Sequence, residues 1–208
     1  MAGIVEVLGA ALLPEPYVAS AVLATVALLE AEGARRDTLL KACAEGSLIT
    51  AFAHQETGGG IGCASVATVA SGSSPALRLS GTKRYVYPGA EADGYLVTAR
   101  TREGLGLYWI AQGAPGLEVT QERRADGTSS ARLDLREVQV LAEDVLMAPA
   151  PGNVGVAAGL SLSAGAAGRC RPAWSCWRRS RPRAWRAAGA WRRHSRASSP
   201  RSLPDRSG

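Results

Sequence analysis

The hydrophobic pattern of this chain changes period once, at Gly46, and that change limits the fold more than any single motif does. Before it, residues 17–32, YVASAVLATVALLEAE, are dominated by Ala and Leu and predict a helix, with Gly33 placed to end it as a cap. The segment is apolar nearly all round, so the helix is expected to be buried on more than one side. Residues 36–45, RDTLLKACAE, predict a shorter second helix closed by Gly46. After Gly46 the pattern turns strand-like. Residues 65–70, SVATVA, alternate cleanly, and further short runs fall at 48–53, 76–79, 84–87, 95–100, 105–111, 117–121, 131–137 and 138–141. Turn signals part them: Ser-Gly-Ser-Ser-Pro, Pro88-Gly89, Ala114-Pro115-Gly116 and Asp126-Gly127. Short strands at this spacing predict a small barrel or sandwich, so the fold class is α+β: helices over 1–46, an all-β domain over 47–150, and a tail. No internal repeat is visible.

The tail differs in kind. Residues 169–208 hold 12 arginines and one acid, Asp205, for a net +11, whereas residues 1–168 carry −5. The overall +6 therefore says nothing about a basic domain. The tail has no Ile, Val, Phe, Tyr or Met, yet holds four of the five tryptophans. Such a segment buries too little aliphatic surface to offset its ordering entropy. Three readings stay open. It is a disordered tail, or a basic arm in which Arg meets phosphate and Trp stacks on bases, or GC-rich coding sequence translated out of frame. The genetic code favours the last: Trp174-Ser175-Cys176-Trp177-Arg178, read two nucleotides later, gives Glu-Leu-Leu-Ala. The nucleic-acid arm is the least favoured.

The four cysteines, Cys43, Cys63, Cys170 and Cys176, form no CxxC pair, so neither a zinc site nor a disulfide framework is expected. The longest apolar run of the head, residues 17–29, is short of the roughly 18 residues of a membrane span, and no basic residue precedes it. A reducing, cytoplasmic location is the expectation.

Residues 81–100, GTKRYVYPGAEADGYLVTAR, read as a β-hairpin opened by a Gly-Thr-Lys turn. They place two aromatics, Tyr85 and Tyr87, on one side of a strand with Val86 on the other. The bland account is cross-strand aromatic packing; the sharper one is a flat ligand lying on that face. Lys83 reads as a turn residue. Catalytic constellations are absent: there is no Gly-x-Ser-x-Gly, no phosphate-binding P-loop, and one histidine, His54, in the head. Gly58-Gly59-Gly60-Ile61-Gly62 does not open a helix after a parallel strand and so fails the dinucleotide fingerprint. From the residues alone it is a flexible loop, and His54 is a hydrogen-bonded or surface residue.

The order of motifs is more specific. Leu79-Ser80-Gly81-x-Lys83, Ala92-Asp93-x-x-Leu96-Val97-x-Ala99-Arg100 and Ala51-x-x-x-x-Glu56 follow a buried helix and flank a glycine loop. In this order the chain resembles the acyl-CoA dehydrogenase flavoproteins over about residues 13–150. The resemblance implies that the β domain is one wall of a flavin pocket, with FAD as cofactor and an acyl-CoA as substrate. Phe52 then takes an aromatic position against the flavin, and His54 and Gln55 the positions that hydrogen-bond its pyrimidine edge. Tyr85, Val86 and Tyr87 lie along the ring, with Tyr85 in place of the usual Trp and Tyr87 in place of the usual Thr. Gly60 and Ile61 fall on the substrate side. Here Thr57 replaces the usual Pro, and Ile61-Gly62 replaces Ser-Asp, which removes a hydroxyl contact.

The implied reaction is α,β-dehydrogenation of an acyl-CoA thioester, with electrons passed to an electron-transfer flavoprotein or similar acceptor, in a homo- or hetero-oligomer. The family's proton-abstracting carboxylate lies in a C-terminal helical domain that has no recognisable counterpart after residue 150. The expectation is therefore a truncated chain, inactive alone, with no catalytic residue of its own. Two alternatives remain: a non-catalytic subunit that completes a flavin site on a full-length partner, and a binding module with a nucleic-acid-contacting tail.

Overall fold

The computed structural model describes residues 2–11, 16–58, 66–72, 77–125 and 128–150. These fall in the first of two compact units, Met1–Gly168; the second, Arg169–Gly208, and the three readings of the tail lie outside the described residues.

Three helical segments lead. Helix α1 spans Ala2–Ala10 and leaves Ile4 and Val7 exposed. A π-helical segment, Tyr17–Ala24, runs on into α2, Thr25–Leu29, and α3 spans Arg36–Ala44. None of these helices is long and apolar enough to cross a membrane. Gly46 ends α3 as expected: its φ is +71, and the amides of Gly46 and Ser47 donate to the carbonyls of Cys43 and Ala42. Gly33 does not cap its helix, which stops at Leu29. It is a point of close approach instead. A Cβ there would lie 2.2 Å from the Val145 carbonyl oxygen, and the amides of Glu32 and Gly33 both donate to the Leu146 carbonyl at 2.9 Å.

Eight strands follow: β1 Thr50–Ala53, β2 Val69–Ser71, β3 Leu77–Val86, β4 Gly94–Arg100, β5 Leu105–Ala111, β6 Leu117–Arg123, β7 Ser129–Val140 and β8 Val145–Ala150. They form one mixed sheet in the order β6-β7-β3-β2-β4-β5-β8, with β1 also paired to β4. β1 runs parallel to β4 from Gly94 to Val97, and β2 meets β4 in parallel at Arg100. Both short strands thus line β4, parted by residues 54–68.

Two cores share the central strands. Ala51, Ala53, Leu79, Tyr95, Val97, Tyr108, Ile110 and Leu133 belong to one cluster enclosed by the sheet. The alternate residues Leu96, Leu105, Leu107 and Trp109 pack with Ala24, Leu28 and Leu39 of the helical segments. Strands covered on both faces read as continuous apolar runs, which is why YLVTA and LGLYWIA lack the alternation of SVATVA.

Two expectations about segment 81–100 are corrected. β3 and β4 are not a hairpin: β3 pairs with β2 and β7, and β4 with β1, β2 and β5. Nor is there a turn at Gly81-Thr82-Lys83. β3 runs through it, with register shifts against β7 between Leu79 and Gly81 and between Lys83 and Val86. The same bulging joins 131–137 and 138–141 into one strand. Glu137 takes φ +53 there, with Ser80 donating from its hydroxyl to the Glu137 carboxylate.

Candidate functional site

β1 delivers the first of the residues singled out by sequence. Ala51 and Ala53 enter the enclosed core, so alternation puts Phe52 and His54 on the opposite face. Their rings stack there, with centroids 5.9 Å apart and planes 8° from parallel. Phe52 is half-buried against the helix-side core, His54 is buried at 4% exposure, and Gln55 is exposed.

The backbone amide of Arg84 donates to the Gln55 carbonyl at 2.8 Å, which brings the end of β1 beside the bulge in β3. The next residue, Tyr85, has φ +57. A side chain held in that region costs on the order of 1–3 kcal/mol, and the result here is a large ring turned outward, 56% exposed. The Arg84 guanidinium lies 5.6 Å from the centre of that ring and donates to Glu122 at 2.8 Å. Val86 is 1% exposed and sits in the enclosed core, so its side chain faces away from Tyr85 and any ligand beside it would meet only its backbone. Tyr87 is half-buried. Gly60 and Ile61 lie outside the described residues.

Beneath this surface is a charged network that sequence reasoning missed. Lys83, read as a turn residue, is wholly buried in β3. Its ammonium donates to Glu56 Oε1 at 2.7 Å, Thr98 Oγ1 at 3.2 Å and the His54 carbonyl at 3.4 Å. The Glu56 carboxylate also accepts from the amides of Ala67 (2.7 Å) and Thr68 (3.0 Å) and from the Thr68 hydroxyl (2.7 Å). One carboxylate therefore ties the end of β1 to the approach to β2.

Burial works against Glu56's charge, but the bond from Lys83, then the hydroxyl and amide of Thr68 and the amide of Ala67, outweigh it and hold the carboxyl down at about 2. For Lys83 burial wins: it lowers the ammonium to about 8, against the hydrogen bond and charge of Glu56. A carboxylate with four donors and so low an affinity for protons is a structural anion, not a base. Both members lie among polar neighbours, Gln55 and Thr57 around Glu56 and Thr82 and Arg84 around Lys83, and 27 positions separate them, so nothing local marks them as a pair.

Two clefts lie elsewhere. One of about 480 Å³ opens at the helix–sheet seam beside Arg35, Thr38, Leu39 and Trp109. Another of about 830 Å³ lies at the end of β4, beside Leu77, Arg100, Arg102 and Tyr108. Neither is lined by Phe52, His54, Gln55, Tyr85 or Tyr87. Among the described residues no group of three His, Cys, Asp or Glu side chains is placed to hold a metal.

No protein-family model and no curated protein matches the sequence. Solved structures do match. A chain of the ChsE4-ChsE5 complex from Mycobacterium tuberculosis is 28% identical with a TM-score of 0.67, over 79% of this chain and 44% of that one. A putative acyl-CoA dehydrogenase from Mycobacterium smegmatis is 27% identical with a TM-score of 0.54, over 60% and 35%. Butyryl-CoA dehydrogenase from Megasphaera elsdenii is 22% identical with a TM-score of 0.62, over 72% and 42%. The chain spans less than half the length of each of these structures.

Proposed function

We propose that this chain, whose fold is that of the acyl-CoA dehydrogenases, supplies the β wall of a flavin slot. The enzyme it serves would be an FAD-dependent oxidoreductase that removes hydrogen from the α and β carbons of an acyl-CoA thioester. The observation that carries this reading is Tyr85, an exposed ring held at φ +57 on a bulge whose backbone is tied to Gln55. A fold spends strain of that kind where a side chain must point in one direction.

The residues fit a planar, polar-edged cofactor in part. Tyr85 offers a face for stacking, Gln55 an exposed amide with both donors and an acceptor, and half-buried Phe52, backed by the buried His54 ring, a second aromatic contact on the β1 side. Val86 contributes backbone only. When bound, FAD accepts the hydride; this chain's residues orient the ring, and Arg84, carried beside Tyr85, adds positive charge at its rim. Neither Glu56 nor another described carboxylate is assigned the α-proton. The proposed source of that base is a segment or partner chain outside the described residues, with an electron-transfer flavoprotein or a similar carrier as acceptor.

The test is a titration of the full chain with FAD, followed by flavin fluorescence and visible absorbance, with Tyr85→Ala alongside. Stacking on one aromatic ring is worth roughly 0.5–1.5 kcal/mol, so Tyr85→Ala should weaken binding up to about tenfold. Absence of any FAD binding by the wild-type chain, alone and with a co-expressed acyl-CoA dehydrogenase subunit, refutes the reading.

A further inference from the structure

We infer that Lys83 and Thr98 fix the protonation of His54, holding its imidazole as the neutral tautomer with hydrogen on Nε2 and the Nδ1 lone pair occupied. The inference stands on side-chain geometry and does not depend on the flavin reading.

A lysine ammonium has only hydrogens to give. At 3.2 Å from Lys83 Nζ, Thr98 Oγ1 is therefore the acceptor of that bond. Thr98 is wholly buried in β4, so its own hydroxyl hydrogen has no water to meet. Of its two side-chain neighbours within reach, Lys83 cannot accept, and the other is His54 Nδ1 at 3.1 Å. The hydroxyl consequently donates to Nδ1, and the ring hydrogen resides on Nε2. The opposite arrangement, Nδ1–H donating to Thr98, would strand a buried hydroxyl hydrogen without a partner.

Glu56 completes the chain by anchoring Lys83 at 2.7 Å, and Lys83 also grips the His54 carbonyl, so one ammonium sets both the backbone and the ring of His54. Stacking on Phe52 at 8° fixes the ring plane. Two consequences follow. His54 is not a general base, because its basic nitrogen is engaged. And any group that meets Nε2 must be an acceptor, such as a carbonyl oxygen or a pyridine-type ring nitrogen. Lys83 and Thr98 are positioning residues in this scheme.

Long-range ¹⁵N–¹H correlation spectra of the full chain, labelled at histidine nitrogen, distinguish protonated from lone-pair imidazole nitrogens. The expected result for wild type is a lone pair on Nδ1 and a proton on Nε2 of His54, with His194 assigned by His194→Gln. Thr98→Val should give a mixture of tautomers, Thr98→Ser should restore the single one, and Lys83→Gln should loosen the preference, since its amide oxygen can offer the Thr98 hydroxyl a second acceptor. A purely structural part for Thr98 would alter stability without moving the tautomer ratio. A proton on Nδ1 in wild type, or an unchanged ratio in a folded Thr98→Val, overturns the inference. The wild-type spectrum decides even if a variant fails to fold.

Discussion

Replacing Glu56 by glutamine tests the buried pair most directly. In the folded chain Glu56 is held at about 2, against 4.5 unperturbed. At about 1.4 kcal/mol per tenfold change in proton affinity, that is worth roughly 3 kcal/mol. The contribution is fully present above pH 4.5 and lost as pH falls towards 2. Lys83 moves oppositely. Its folded value of about 8 lies below 10.5, so keeping it protonated costs roughly 3 kcal/mol at neutral pH, recovered as pH rises from 8 to 10.5. The two nearly cancel, as expected of an ion pair taken out of water.

Glu56→Gln removes only the favourable half. It leaves the ammonium with two neutral oxygens, Thr98 Oγ1 and the His54 carbonyl, and an expected loss of about 3–5 kcal/mol at pH 7. Urea unfolding followed by far-ultraviolet circular dichroism across a pH series measures it. The gap between wild type and variant should narrow as pH falls from 4.5 towards 2, where unfolded wild type binds a proton that folded Glu56 does not, and as pH rises through the variant's Lys83 titration, which loss of Glu56 shifts below that of wild type. The double variant Glu56→Gln/Lys83→Met should recover much of the loss. A variant within about 1 kcal/mol of wild type at pH 7, with an unchanged acid limb, refutes the reasoning.

Other outcomes follow from the same structure. Gly33→Ala forces a Cβ to 2.2 Å from the Val145 carbonyl, so the helical segments and β8 must part; a loss of about 1–3 kcal/mol is expected in thermal unfolding. The Tyr108 hydroxyl is buried without a partner, and burial, then Glu103, push its phenol up to about 12. Tyr108→Phe should therefore be neutral or stabilising by about 1 kcal/mol, read as a raised Tm; a lowered Tm would reveal a partner for that oxygen. Tyr85→Gly relieves the positive φ, so it should cost no global stability while weakening FAD binding, separating strain from packing in one pair of measurements.

How much of this was legible from sequence depends on the range of the forces. The change of period at Gly46 and the strands at 95–100 and 105–111 are local patterns, and they read correctly. So did Gly46, whose role needs only its own φ. Gly33 misled because its reason is not conformational: the neighbour that excludes a Cβ is β8, more than a hundred residues away. The hairpin at 81–100 failed similarly, since nothing within β3 says that its partner is β7 and not β4. Tyr85 and Glu137 carry no sequence signal for a positive φ, which glycine normally supplies. Lys83 was misplaced because a lone lysine beside Gly-Thr reads as solvated, and only the fold shows Glu56 coming to meet it. The aromatic positions Tyr85 and Phe52 were singled out, by contrast, by motif order, which preserves spacing even where contacts are invisible.

The pairing of β3 with β7 also bears on synthesis. While the chain is being made, the only strand paired with β3 is the three-residue β2, and its other edge is not fully covered until Val140 has emerged. During that interval the nascent molecule presents a ten-residue strand with bare amides and carbonyls, the kind of margin that recruits other nascent strands. Ribosome pausing before β7 should thus favour aggregation, and pausing after it should not.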